Sequence, residues 1–258
     1  MTELQPDKPS KPKSRVELLK RVETLVCEGQ SHTIFGQGTG APGKTLEYLL
    51  GVDGGNNKVS DGAGIECKYH HPGSLITLLH REGSLIDLFG CALKARSGMA
   101  VMVARYSYLG RNGRQNFRHT VRGSSTLFVV QTVGTKIHLL PKQGTFGDVG
   151  LCWEGEDLYQ DVVGKLRYTV LVGGSVAGGQ VTYDHARYFQ GLLNLEGFLN
   201  ALMLGVIAID MDACLNERGG LRNHGTKFRI HDDDLSKLWK KLSCFDTISR
   251  KWTPPLHP

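Results

Sequence analysis

The sequence lacks an apolar run long enough to cross a membrane as a helix, which takes about 20 residues, and it has no internal repeat. A helical membrane span and a solenoid are thereby excluded. The N-terminal stretch MTELQPDKPSKPKS has no apolar signal core and is polar and rich in Pro and Lys. A cytoplasmic protein with a disordered tail over residues 1–14 is therefore expected. The cysteines stand at 27, 67, 91, 152, 214 and 244, with no C-x-x-C pair and no histidines beside them at zinc-finger spacing. Cysteine-based zinc and redox motifs are excluded, and reduced thiols are expected.

What is present is a chain of 258 residues, 40% hydrophobic, enough to build a core in one large domain or two small ones. A net charge of +6 and a pI near 9.0 suit a nucleic-acid partner. Apolar spacing predicts a helix over 16–25, and a second helix from Lys44 that Gly51 ends. Strands are expected at IECKY (65–69), LITLLH (75–80) and MAVMVARYSYL (99–109), with a hairpin about Gly134–Thr135. The second half reads as a helix near 156–165, a strand at 167–176, a long helix over 184–205, and strands at 205–214 and 226–231. DDDLSKLWKKL (232–242) reads as a closing helix with an Asp N-cap. This alternation predicts an α/β protein with a mixed sheet.

GTGAPGKT (38–45) matches G-x-x-x-x-G-K-[ST], the phosphate loop of nucleotide hydrolases. A helix follows it, and VIAID supplies Asp210 at the end of an apolar strand, where such proteins place a magnesium-holding Asp. The strand before the loop is poor, with Ile34 and Phe35 as its strong formers. On these residues an ATPase remains open beside an ordinary glycine-rich loop.

Just downstream, Asp61, Glu66 and Lys68 form D-x4-E-x-K. In a strand, Glu66 and Lys68 share one side while Ile65 and Cys67 take the other. Two carboxylates and an ammonium at a sheet edge suit phosphodiester hydrolysis. The carboxylates hold Mg2+, the metal activates water, and the lysine orients that water or offsets charge on the phosphate. Glu47, on the preceding helix, is a further candidate metal ligand. A solvated strand face and a solvent-facing helix glutamate are the plain alternatives.

The segment GKTLEYLLGVDGGNNKVSDGAGIECK resembles the catalytic segment of the MvaI/BcnI-type restriction endonucleases, relatives of the MutH nickase within the PD-(D/E)-x-K nucleases. The matching residues are Gly43, Leu46, Glu47, Asn56, Asn57, Asp61, Glu66 and Lys68. NLEGFLNALMLGVIAIDMDAC and LRNHGTKFRIHDDDLSKLWKKL resemble the family's C-terminal half, whereas residues 85–150 match in strand pattern alone. The resemblance implies a mixed sheet flanked by helices and two lobes around a DNA cleft, with a catalytic lobe at 15–150 and a recognition lobe at 151–258. It implies a Mg2+-dependent endonuclease acting on double-stranded DNA as a monomer, with a cognate DNA methyltransferase as genetic partner. It demotes the phosphate-loop match, because the family does not require G-K-T.

The resemblance also places Asp210, His224, Lys227 and Arg229 as DNA-reading residues. The chemistry suits them: Arg and Lys donate to guanine, and Asp accepts from cytosine. Asp212 and Asn223 depart from the family's pattern. The basic, aromatic stretch 105–123 is either a phosphate-contacting segment or a solvated hairpin. A MutH-like nickase and a DNA-binding module without catalysis are the remaining alternatives.

Overall fold

The structure is a computed structural model that describes residues 8–52, 60–95, 97–111, 113–143 and 148–256. Asn56 and Asn57 lie outside the described residues. The chain forms two compact units that interleave in sequence. Unit 1 is 1–74, 163–192 and 239–258, and unit 2 is 75–162 and 193–238. The expected boundary at 150 falls inside a strand of unit 2. All six cysteines are free thiols.

Strands and helices are numbered along the chain. In unit 1, one sheet runs in the order β15 (Lys251–Thr253), β14 (Trp239–Asp246), β11 (Gln180–Leu192), β10 (Tyr168–Ala177), β2 (Glu66–His70), and short β1 (Ser31–Thr33) joins β11. β2 runs parallel to β10, and the other pairings are antiparallel. Helices α1 (Arg15–Glu28) and α2 (Ala41–Leu50) share a core with this sheet. Leu18, Val22, Leu25, Leu46 and Leu50 meet Ile65, Cys67, Val170, Val172 and Tyr188 there. The opposite residues of β2, Glu66 and Lys68, are left for another use.

In unit 2, β3 (Leu75–His80), β13 (Leu221–His231), β12 (Ile207–Leu215), β6 (Gln115–Val121) and β5 (Tyr108–Leu109) form one sheet. β4 (Ser84–Asp87), β9 (Val149–Glu154), β8 (Lys136–Pro141) and β7 (Phe128–Val133) form another. Helices α3 (Gly98–Tyr106) and α5 (Leu195–Met203) belong to this unit, and α4 (Gly155–Leu166) begins in it and ends in unit 1.

Four expectations are corrected. Of residues 99–109 only Tyr108–Leu109 form a strand, β5: 98–106 form α3, capped by the Ser97 hydroxyl, which accepts from the Ala100 N–H. Met99, Met102, Val103 and Tyr106 are its buried face, a helical spacing that the β-branched Val101 and Val103 obscured. The expected long helix over 184–205 is strand β11 followed by α5, with Asn194 capping the helix by accepting from the Gly197 N–H. Pairing on both sides, to β10 and β14, outweighs the local helical pattern of 184–193. The closing helix is a short 3-10 helix, Asp232–Lys237, capped by His231 rather than Asp, and Trp239 already begins β14. Of the tail 1–14, residues 1–7 lie outside the described residues, but Pro12 is buried and the Ser10 carbonyl accepts from Arg21.

Gly51 ends α2 as expected, in the left-handed conformation at φ +70°. A Cβ there would also stand 2.7 Å from the carbonyl oxygens of Pro9 and Ser10, so glycine is required for both reasons.

Candidate active site

The nucleotide-loop alternative does not survive the geometry. A phosphate loop hangs from a buried strand, whereas β1 is three residues long with an exposed pattern. Thr45 is fully buried. Its hydroxyl donates to the Ala41 carbonyl (3.0 Å) and accepts from the Phe35 N–H (2.9 Å), so it pins the loop to the helix start. Tyr183 fixes the same turn by donating to the Pro42 carbonyl at 2.7 Å. Thr45→Val, which leaves the Phe35 N–H without its acceptor, is expected to cost about 1–3 kcal/mol of stability in urea unfolding.

The D-x4-E spacing has a structural cause. Gly62 and Ile65 exchange backbone hydrogen bonds across a tight turn whose central residues, Ala63 and Gly64, have φ of +48° and +77°. Such a turn folds the chain back on itself. It returns Asp61 alongside β2, where its Oδ2 accepts from the Cys67 N–H at 3.0 Å. Asp61 and Glu66 are both buried, and Glu47 reaches the site half-buried from α2.

The charges interact strongly. Burial, then the charge of Glu66, pushes the Asp61 carboxyl up to about 7, against the Cys67 N–H that lowers it. Burial and Glu66 likewise raise Glu47, which Lys68, Lys165 and Lys44 pull back down. Glu66 Oε1 meets two ammonium groups, Lys68 Nζ at 2.9 Å and Lys165 Nζ at 3.3 Å. Its other oxygen, Oε2, is buried without a hydrogen-bond partner.

That orphaned oxygen is the test of fit for a metal. A buried carboxylate oxygen without a partner is costly unless an ion or water completes it. The donor set is all carboxylate oxygen, which suits a hard cation such as Mg2+. The carboxylates of Asp61, Glu66 and Glu47 interact but are not drawn tightly together. Among the described residues, the ligand atoms of His231, Asp232 and Asp233 are those within 4.8 Å of one another. That group sits at the start of the 3-10 helix, with His231 Nδ1 already against both carboxylates and Asp233 mostly exposed. Lys165 was not read from the sequence. A lysine in the last turn of a helix is ordinary there, and the parallel pairing of β2 with β10, which follows it, shows its place.

The DNA-reading candidates lie in unit 2. Asp210 accepts from Thr120 (2.8 Å) and pairs with Arg229 (2.9 Å), whose guanidinium also donates to the Leu75 carbonyl. Lys227 stands opposite Asp210 in the β12–β13 register, and His224 is exposed on β13. In the 105–123 stretch, Tyr106 and Phe117 are core residues, while Arg105, Arg114 and Arg118 pair with Asp148, Glu217 and Asp212. Its aromatic interleaving is thus packing, with Tyr108 left exposed.

The sequence profile of the MvaI/BcnI restriction endonuclease family matches residues 16–239. Among solved structures, the restriction endonuclease MvaI in complex with its cognate DNA substrate aligns with a TM-score of 0.72 at 22% identity, over 90% of this chain and 98% of that one. MvaI in the absence of DNA aligns with a TM-score of 0.53 at 20% identity, over 92% and 99%. Comparison with curated proteins gives no significant match.

Proposed function

The chain belongs to the MvaI/BcnI restriction endonuclease family, and from that premise we propose that it is a type II enzyme cleaving double-stranded DNA at a short site with Mg2+. The observation that carries the chemistry is Glu66, which holds one oxygen between two lysines and presents the other without a partner. Asp61, Glu66 and Glu47 would hold the ion. Bound there, Mg2+ supplies an activated water and takes up charge on the phosphate.

The protein's own groups do the rest. Asp61 is anchored by the Cys67 N–H. Lys68 orients the attacking water or faces the developing phosphate charge. Lys165 holds the same Glu66 oxygen as Lys68. Lys165→Ala is expected to slow single-turnover cleavage about 10–100-fold while leaving DNA affinity within about threefold, below the roughly tenfold per 1.4 kcal/mol of a lost binding contact. In unit 2, Arg229, Lys227 and His224 donate to base edges or phosphates, and Asp210 accepts from cytosine or holds Arg229 for guanine. We take the enzyme to act as a monomer, with a methyltransferase as its genetic partner.

Plasmid DNA incubated with the protein and Mg2+ tests this reading. Discrete double-strand fragments that disappear with EDTA are expected. Nicked circles alone would place the protein with the MutH-like nickases, and intact plasmid would overturn the reading.

A further inference from the structure

Alternate residues of three adjacent strands face the same side of the unit 1 sheet as Glu66. Glu66, Lys68 and His70 stand beside Thr169, Leu171 and Gly173, and these stand beside Phe189, Arg187 and His185. The β10–β11 register slips at one point. Gly173 pairs with His185 and Gly174 with Tyr183, leaving Asp184 as the extra residue of a bulge. A bulge re-aims side chains and often lies next to an active site. Here Asp184 comes beside His185, and its Oδ1 lies 2.5 Å from the ring Nδ1.

The His185 ring lies across β10, toward β2. A Cβ on Gly173 would stand 2.0 Å from Nε2, so glycine leaves the ring its place. The ring stays 45% exposed. Arg187, two residues on and half-buried, lies near the Phe189 ring at 6.0 Å. It forms no ion pair among the described residues. Asp184 is thus an anion behind the imidazole, and a donor fork stands next to it.

We propose that Asp184, His185 and Arg187 form a second phosphodiester contact on the catalytic face, gripping the DNA backbone beside the phosphate that is cut. With Nδ1 held against Asp184, Nε2 is the ring nitrogen left to meet a phosphate oxygen. Arg187 donates to the same phosphate or its neighbour. The His185 ring lies over Gly173, four residues or about 13 Å along β10 from Thr169, the partner of Glu66, and Arg187 stands two strand spacings, about 10 Å, from Lys68, so the pair serves a different phosphate from the one at Glu66. The proposal rests on the nuclease reading and adds a binding role to residues outside the catalytic set.

The test is the salt dependence of binding to a 30-bp random-sequence duplex, a length of about three helical turns, with Ca2+ in place of Mg2+. Each lost phosphate contact lowers the slope of log affinity against log salt by about 0.9. Arg187→Ala, and Arg187→Gln, which keeps the stem, are each expected to lower it by about 1, and the double variant with His185→Ala by about 2. Gly173→Ala, whose methyl takes the ring's place, is expected to match His185→Ala. Lys20→Ala, on exposed α1 surface, leaves the slope unchanged. Wild-type slopes in the folded Arg187 and His185 variants overturn the proposal and leave the nuclease reading intact. Wild-type protein that shows no salt-dependent binding overturns both.

Discussion

Asp61→Asn is expected to abolish cleavage and, at the same time, to make the metal-free protein more stable above neutral pH. The amide keeps an oxygen for the Cys67 N–H, so the local fold is retained, but a proposed metal ligand is lost. Cleavage falls by at least about 1,000-fold, the scale of removing a main electrostatic contributor. The stability gain follows from the carboxyl being pushed up to about 7 from an ordinary 3.8. Between those values the folded state holds a proton that the unfolded state has released. Stability of the wild type therefore declines as pH rises from about 4, and the deficit is complete above about 7. Asn removes it. A gain of about 1–2 kcal/mol at pH 8 is the size of other single stabilising changes. It amounts to roughly 2–8 °C in Tm for a chain of this length. At pH 4 wild type and variant converge. Mg2+ reverses the ranking by stabilising the wild type alone, and calorimetry at the two pH values with and without Mg2+ reads all of this. With limiting Mg2+, wild-type cleavage rises with pH through about 7, as the ion must displace the Asp61 proton.

Arg229→Ala is the second large effect, and it acts on sequence reading rather than chemistry. Arg229 is held twice, by Asp210 and by the Leu75 carbonyl, and its Nε is buried without a partner. That is a positioned fork rather than a loose surface arginine. Its removal is expected to cost about 1–3 kcal/mol of discrimination at one base pair. Cleavage of the best site then falls about 10–100-fold, and sites differing at that position gain relative to it. Arg229→Lys does not rescue, because a point charge does not replace a bidentate fork. Asp210→Ala frees the same guanidinium, so the two substitutions are non-additive in a double-mutant cycle. Additive effects would separate Asp210 from Arg229 and return it to direct base contact.

The proposed metal-site motif stands out in the sequence because its spacing is local. D-x4-E-x-K is one turn and one strand, and the alternation of Ile65, Glu66, Cys67 and Lys68 states which side chains enter the core. α1 and α2 were legible for the same reason, each presenting one apolar face. Residues 184–193 were not, since local periodicity favours helix there and only pairing with β10 and β14 makes them a strand. Lys165 was invisible for a related reason. It meets Glu66 through the parallel pairing of β10 with β2, about 100 residues apart in sequence, a contact that no short window contains. The phosphate-loop match of GTGAPGKT pointed the other way, yet the Thr45 hydroxyl within it is spent at the helix start.

Lys68 tests the central claim most directly, because it is the cation at Glu66 that lies within the D-x4-E-x-K motif itself. Once a cleavage site has been mapped by sequencing the ends of cut DNA, the measurement is the single-turnover rate of wild type and Lys68→Ala on a duplex carrying that site. A loss of at least about 100-fold with Mg2+ present and duplex affinity retained is expected. Full cleavage by Lys68→Ala would contradict the assignment of this site.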